Sequence, residues 1–430
     1  MSELDLGLKV GTRRLFWDMG LSTRLDVELR GHKAASQRGG AQSFTDLDVL
    51  GISVSPDVRI TTLIADCKTS KRDSTSRMFW VKGVAEFFGA DHAYLVREHE
   101  VTDAARQLSA RLGIGILTSP ELARLQAIHD PGPSAETPGL DVLFDRRAVA
   151  SHLSAFNGLN SKLAHLLEFS QFDYWVNEPH RNPTQLVAHL AKASKLLNPS
   201  DPAHRAVFLD LCWLYQLSLT RVTGYVRGGF LGDPDRAVQE YIFGGAAGLD
   251  EKRVTAALLN HARPAGTPER GHLPAYFRPM LELITRLLKR PQHLQTSLRY
   301  VEVATAFATA GNAEAIPVAL RPGVFDPIAA KLAADVCGFL TSVCDLDPRF
   351  RGHARRVLLG EEQSTSPPAA GAANSTPPGL LDSLAKRTPP SAAHSNTSLP
   401  QLSLLDLEDW EPDDSYEGHS SGDLANDSEG

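Results

Sequence analysis

Up to about residue 128 the apolar residues switch between the two-residue period of a strand and the roughly 3.6-residue period of a helix. From residue 140 onward they keep the helical one. Leu6, Val10, Leu15 and Trp17 predict a first helix over residues 3–19, stopped by Gly20. Leu25-Asp26-Val27-Glu28-Leu29 alternates like a half-buried strand, and residues 47–53 and 58–67 follow as two more. A helix over 77–88, a strand over 93–96, a helix over 101–112, a strand over 114–117 and a helix from Pro120 complete the order α-β-β-β-α-β-α-β-α. That order predicts an α/β module, a mixed sheet flanked by helices.

The remainder of the 430 residues divides by composition. We expect the sheet module over 1–128 and a Pro/Gly-rich linker over 129–139. An all-α domain follows over 140–360, then a disordered acidic tail over 361–430. Leu and Ala stripes such as 186–197, 206–220 and 328–343 read as helix core, and Trp213 and Tyr215 belong to such a stripe rather than to a base-stacking surface. The net charge of −7 hides an asymmetry: the tail carries 13 acidic and 2 basic residues, whereas 42 basic residues outnumber 38 acidic ones before it. A mildly basic body is compatible with nucleic-acid binding. Within the tail, carboxylates alternate with apolar residues around Leu404 and Trp410. Such a segment either folds onto a protein partner or simply solvates the chain.

No run of about 18 uncharged apolar residues offers a membrane span. The acidic, amphipathic start does not read as a signal peptide. Four cysteines without CxxC spacing read as reduced thiols of a cytoplasmic protein and exclude a zinc site. The Gly-rich VRGGFLGDPD lacks the Lys-Ser/Thr of a phosphate loop.

The chemistry concentrates in FTDLDVLGI (44–52) and IADCKT (64–69). On strands, Asp46 and Asp48 share a face, as do Asp66 and Lys68, with Cys67 turned into a core. Adjacent strands would bring Asp48 close to Asp66, and paired carboxylates repel unless a cation lies between them. Hard oxygen donors in a partly open site suit Mg²⁺ (or Mn²⁺), and Lys68 beside it would position or deprotonate a water or stabilise phosphoryl charge. Asp46 competes with Asp48 as the ligand; the apolar Val49-Leu50 directly after Asp48 favours the latter. Lys71, Arg72, Arg77 and Lys82 continue the basic run from Lys68 and would track a phosphate backbone, most naturally of DNA.

In their joint order, DLDVLG, the hairpin into ADCKT, the helix bearing KGVAEFFGADHAYLV and the following VTDAARQLSARLGIGILTSPEL resemble the PD-(D/E)XK restriction-endonuclease-like superfamily. The similarity is to its Mrr-like and Holliday-junction-resolvase-like branches and covers residues 3–126, under a third of the chain. The resemblance implies that Asp48 is the first metal ligand, Asp66 the acid of the second motif and Lys68 its lysine. Leu47 stands where the family usually has proline. A glutamate from the first helix often joins the family's metal site. Glu3 is the only one there, so Glu28 is the alternative third ligand. The activity implied is that of a metal-dependent endonuclease hydrolysing DNA, in phage defence or repair, and double-strand cleavage by one site per chain would call for a homodimer. The alternative from another class is a non-catalytic nucleic-acid-binding or scaffold protein on a nuclease fold. A third reading has the acidic tail mimic DNA on the basic run and hold the module in check.

Overall fold

The computed structural model describes residues 3–30, 43–70, 74–129, 139–229, 232–263, 271–311, 314–320 and 323–361. Lys71, Arg72, the basic loop after Arg30, nearly all of the linker and the acidic tail with Leu404 and Trp410 lie outside the described residues.

The chain opens α1 (Glu3–Asp18), β1 (Ser22–Arg30), β2 (Ser43–Val54), β3 (Ile60–Lys68), α2 (Ser74–Phe88), β4 (His92–Arg97), α3 (Asp103–Leu112), β5 (Ile114–Thr118) and α4 (Ser119–His129). The strands form one sheet in the order β1-β2-β3-β4-β5. The first three pair antiparallel, and β4 and β5 are added parallel. Parallel neighbours require long crossovers, which α2 and α3 supply. Local chemistry sets the boundaries of α3. Thr102 accepts the Ala105 N–H at its start, and Gly113 at φ 67° closes it in the left-handed region.

One sheet face buries Leu8, Leu15 and Phe16 of α1 and Leu122 of α4 against Val49, Leu63, Ala65 and Cys67. Cys67 is 2 % exposed there, so strand alternation directs Asp66 and Lys68 the other way. On the opposite side Met78, Val81, Val84 and Ala85 of α2 pack with Leu50, Ile52 and Ile64. One boundary differs from the sequence expectation. Val58 is not in β3 but in the hairpin turn before it, at φ 63°, where its N–H bonds to the Ser55 carbonyl at 2.8 Å. Such a conformation is strained for a β-branched residue. The turn is seated on a helix of the second part, where a Cβ at Gly224 would come within 2.9 Å of the Val58 carbonyl oxygen.

Among the described residues from 139 to 361 every regular element is helical. The long helix Pro202–Gly229 is buried on nearly all sides, Trp213 and Tyr215 included, as a core reading of those rings requires. Around it pack Phe277–Leu288, Leu294–Ala310 and Pro327–Val343. Residues Met1–Ser364 form one compact unit, in which the stretches read as 1–128 and 140–360 share a hydrophobic core. Polar ties reinforce the seam. Arg24 of β1 pairs with both Asp210 oxygens at 2.8 and 3.0 Å, its guanidinium 5.6 and 5.7 Å from the Trp175 and Trp213 rings. Arg13 donates to Glu302 at 2.9 Å, and Gln295 accepts the Val54 N–H at 2.7 Å. No helix among the described residues is long and apolar enough to cross a membrane.

Three histidines give the fold a pH signature. Burial, chiefly, pushes His152, His189 and His353 down to about 4, with Arg13 beside the first, His165 beside the second and Arg205 beside the third adding to it. They are neutral in the fold, while unfolded they titrate near 6.5. Their contribution is therefore complete above pH 6.5 and is lost as pH falls through about 4. Urea midpoints are expected to fall between pH 7 and pH 4.5, each histidine removing up to about 1.4 kcal/mol per pH unit. A midpoint that stays flat over that interval would contradict the assignment.

Candidate active site

A cleft of about 800 Å³ opens where β2 and β3 stop pairing, just beyond Val49 and Ala65. Asp5 and Lys9 of α1, Asp26 and Glu28 of β1, Asp46 and Asp48 of β2 and Lys68 of β3 line it. Leu153, from the helix Arg146–Asn157, adds a wall from the helical part. The sheet's register explains the acidic floor. Glu28 lies opposite Asp46 and Leu25 opposite Val49, which sets Asp26 level with Asp48. Asp26 itself is at φ 53°, a left-handed kink in mid-strand. A non-glycine residue held there stores strain, and such positions gather at functional sites.

Asp26, Asp46 and Asp48 each offer a carboxylate oxygen within 4.8 Å of the others, and among the described residues no other group of three or more His, Cys, Asp or Glu does so. Three hard oxygen donors on a half-open cleft fit a cation of the Mg²⁺ or Mn²⁺ type. Asp48 is the anchor. It is 3 % exposed, its Oδ2 accepts the Cys67 N–H at 2.7 Å, and its Oδ1 lies 2.7 Å from Lys9 Nζ. Lys9 also donates to Asp26. Burial opposes charge on Lys9, but Asp48 and Asp26 outweigh it and raise its pKa, so the ammonium stays charged. For Asp26, burial outweighs Lys9, and its carboxyl lies above the usual range.

Lys68 Nζ stands between the two predicted acids, 3.4 Å from Asp48 Oδ2 and 3.2 Å from Asp66 Oδ1. Burial weakens its charge, yet Asp66 and Asp48 more than offset that and hold it protonated. Asp66 is clamped from its other side. Arg77 of α2 donates through Nε at 2.7 Å and Nη2 at 2.5 Å, and its guanidinium stacks 3.4 Å from the centre of the Trp80 ring. This bidentate pair fixes the carboxylate plane.

The structure thus brings Asp48, Asp66 and Lys68 together, with the lysine rather than shared oxygens as the link. The close carboxylate set is completed by Asp46 and Asp26, whereas Glu28 lines the cleft but pairs with Arg30. Of the basic run, Arg77 is spent on Asp66 and Lys82 on Glu86 at 2.6 Å, while Lys71 and Arg72 are not described. Sequence reasoning missed Lys9 and Asp26. A lone lysine between Leu8 and Val10 in an apolar helical stripe, and an aspartate sharing a strand with Glu28, were the available signals. No family model, no curated protein and no solved structure matches this chain.

Proposed function

We propose that the chain is a metal-dependent nuclease that hydrolyses phosphodiester bonds of nucleic acid, DNA foremost, in the cleft between β2 and β3. The observation that carries this is Lys68, a charged amine held by two buried carboxylates at the edge of a three-aspartate cluster. Asp48 with Asp46 and Asp26 would hold the ion, and Mg²⁺ or Mn²⁺ when bound supplies neutralisation of phosphoryl charge and acidifies a water. Asp66 takes no direct part in that set. It orients the Lys68 ammonium, and Arg77 in turn orients Asp66. Lys68, kept protonated, donates to charge developing on a phosphoryl oxygen rather than taking a proton from the nucleophile. The order of strands and helices, with both motifs at the strand divergence, is the arrangement the PD-(D/E)XK resemblance implies, and it supports the reading as an analogy of fold.

A second reading, a nucleic-acid-binding scaffold that does not cut, draws on a different observation. Lys9 already neutralises Asp26 and Asp48 without any metal. One experiment separates them. Supercoiled plasmid is incubated with the full chain and Mg²⁺, Mn²⁺ or EDTA. The nuclease reading expects nicked and linear forms with either metal and none in EDTA. Plasmid that is shifted on a gel but stays supercoiled under all three conditions favours the scaffold.

A further inference from the structure

The three exposed phenylalanines among the described residues, Phe44, Phe79 and Phe87, gather beside the cleft, at 56, 57 and 59 % exposure. Exposed large apolar side chains elsewhere on the described surface are aliphatic or methionine, so the concentration of rings is specific to this place. Phe44 of β2 sits between Ser43 and Thr45, both of which line the cleft, and two residues before Asp46. Its ring meets that of Phe87 edge to face at 5.9 Å, an arrangement that leaves outer ring faces open. Phe79 and Phe87 lie two turns apart on α2, about 12 Å along the helix. Between them Gly83 has nothing within 4 Å of where a Cβ would stand. The result is an aromatic shelf with an open notch.

We propose that this shelf takes the unpaired bases of a single nucleic-acid strand whose backbone runs on into the cleft, so that the substrate class is single-stranded or locally unpaired rather than fully duplex. Charge argues for a polyanion over an apolar protein surface. From Lys68 to Lys82 the sequence carries five basic residues against one acidic residue, Asp73, and the only carboxylate on α2, Glu86, is tied to Lys82. Rings beside a cationic path are the recurrent means of holding bases without reading their sequence. Duplex DNA hides its base faces and can offer the shelf only its backbone. The direction of the strand into the cleft rests on the hydrolytic reading above; the stacking itself does not.

The test is binding in EDTA, where no metal-dependent cleavage occurs. A fluorescein-labelled oligo-dT, alone and annealed to oligo-dA, is titrated with the full chain and followed by anisotropy. The proposal expects tighter binding of the single strand. Phe44→Ala and Phe87→Ala should each weaken that binding by about five- to a hundredfold, and Phe87→Tyr should keep it. All three side chains are on the surface, and unchanged thermal melts confirm that the variants fold. The proposal is overturned by alanine variants that bind like the parent, or by a preference for the duplex. It is equally overturned if sedimentation shows that Phe44→Ala dissolves a dimer, because the shelf would then be a contact between copies. If the alanine variants bind normally while plasmid is still nicked, the shelf is wrong and the nuclease reading stands. If strand binding depends on the rings but no metal permits nicking, the shelf stands and the hydrolytic reading fails.

Discussion

Lys68→Met is expected to lower metal-dependent plasmid nicking by about 10²–10³-fold, the usual cost of deleting one preorganised donor from a site where charge develops. The amine is the only group seen to touch both Asp48 and Asp66, and its side chain is still about one-third exposed toward the cleft. Methionine keeps the length and apolar stem but removes the charge, so the sheet should be undisturbed. Lys68→Arg should rescue poorly, because a planar guanidinium cannot occupy the point between two carboxylates that a compact ammonium does. Single-turnover rates with saturating Mg²⁺ read the effect directly. Nicking by Lys68→Met at the parent rate would remove the catalytic role assigned to this residue.

The second large effect is on stability. Lys9→Met leaves Asp26 and Asp48 side by side without their shared ammonium, in a place where Asp48 is almost wholly buried. Removing one partner of a buried ion pair costs about 3–5 kcal/mol, most of it from the charge left uncompensated. In EDTA the urea midpoint should therefore drop sharply. A divalent cation should then restore much of the loss, since anything that binds only the folded state stabilises it, by about 2.7 kcal/mol at a hundred times its dissociation constant. The parent chain, whose lysine already supplies the positive charge, should gain less from the same metal. Equal midpoints for the two proteins in EDTA, or a variant indifferent to Mn²⁺, would show that Lys9 does not balance this cluster.

Much of the framework was legible because it is written in local periodicity. The alternation through Asp66, Cys67 and Lys68 requires that Cys67 be buried and its neighbours point elsewhere, and they do. Apolar stripes with their stop signals placed α1 to α4 to within a few residues, the start of α2 at Ser74 rather than residue 77 being typical of the error. What escaped is what depends on register and on distant packing. No local rule says that β1 pairs so as to set Asp26 level with Asp48, or that α1 delivers Lys9 into that pair. Nor does periodicity show that a strand residue such as Asp26 leaves the extended region. The turn at Val58 reads as strand because valine favours one, and only its seat against Gly224 brings in the helical part. Likewise the union of sheet and helices into one compact unit rests on Arg24–Asp210 and Arg13–Glu302, partners separated by 186 and 289 positions.

Calorimetric titration with Mn²⁺ tests the centre of the account most directly. The parent chain and Lys68→Met are predicted to bind one ion per chain, and Asp48→Asn, which removes the charge of the buried anchor while keeping its shape, to bind none. No heat of binding to the parent, or an Asp48→Asn variant that takes up Mn²⁺ as the parent does, would contradict it.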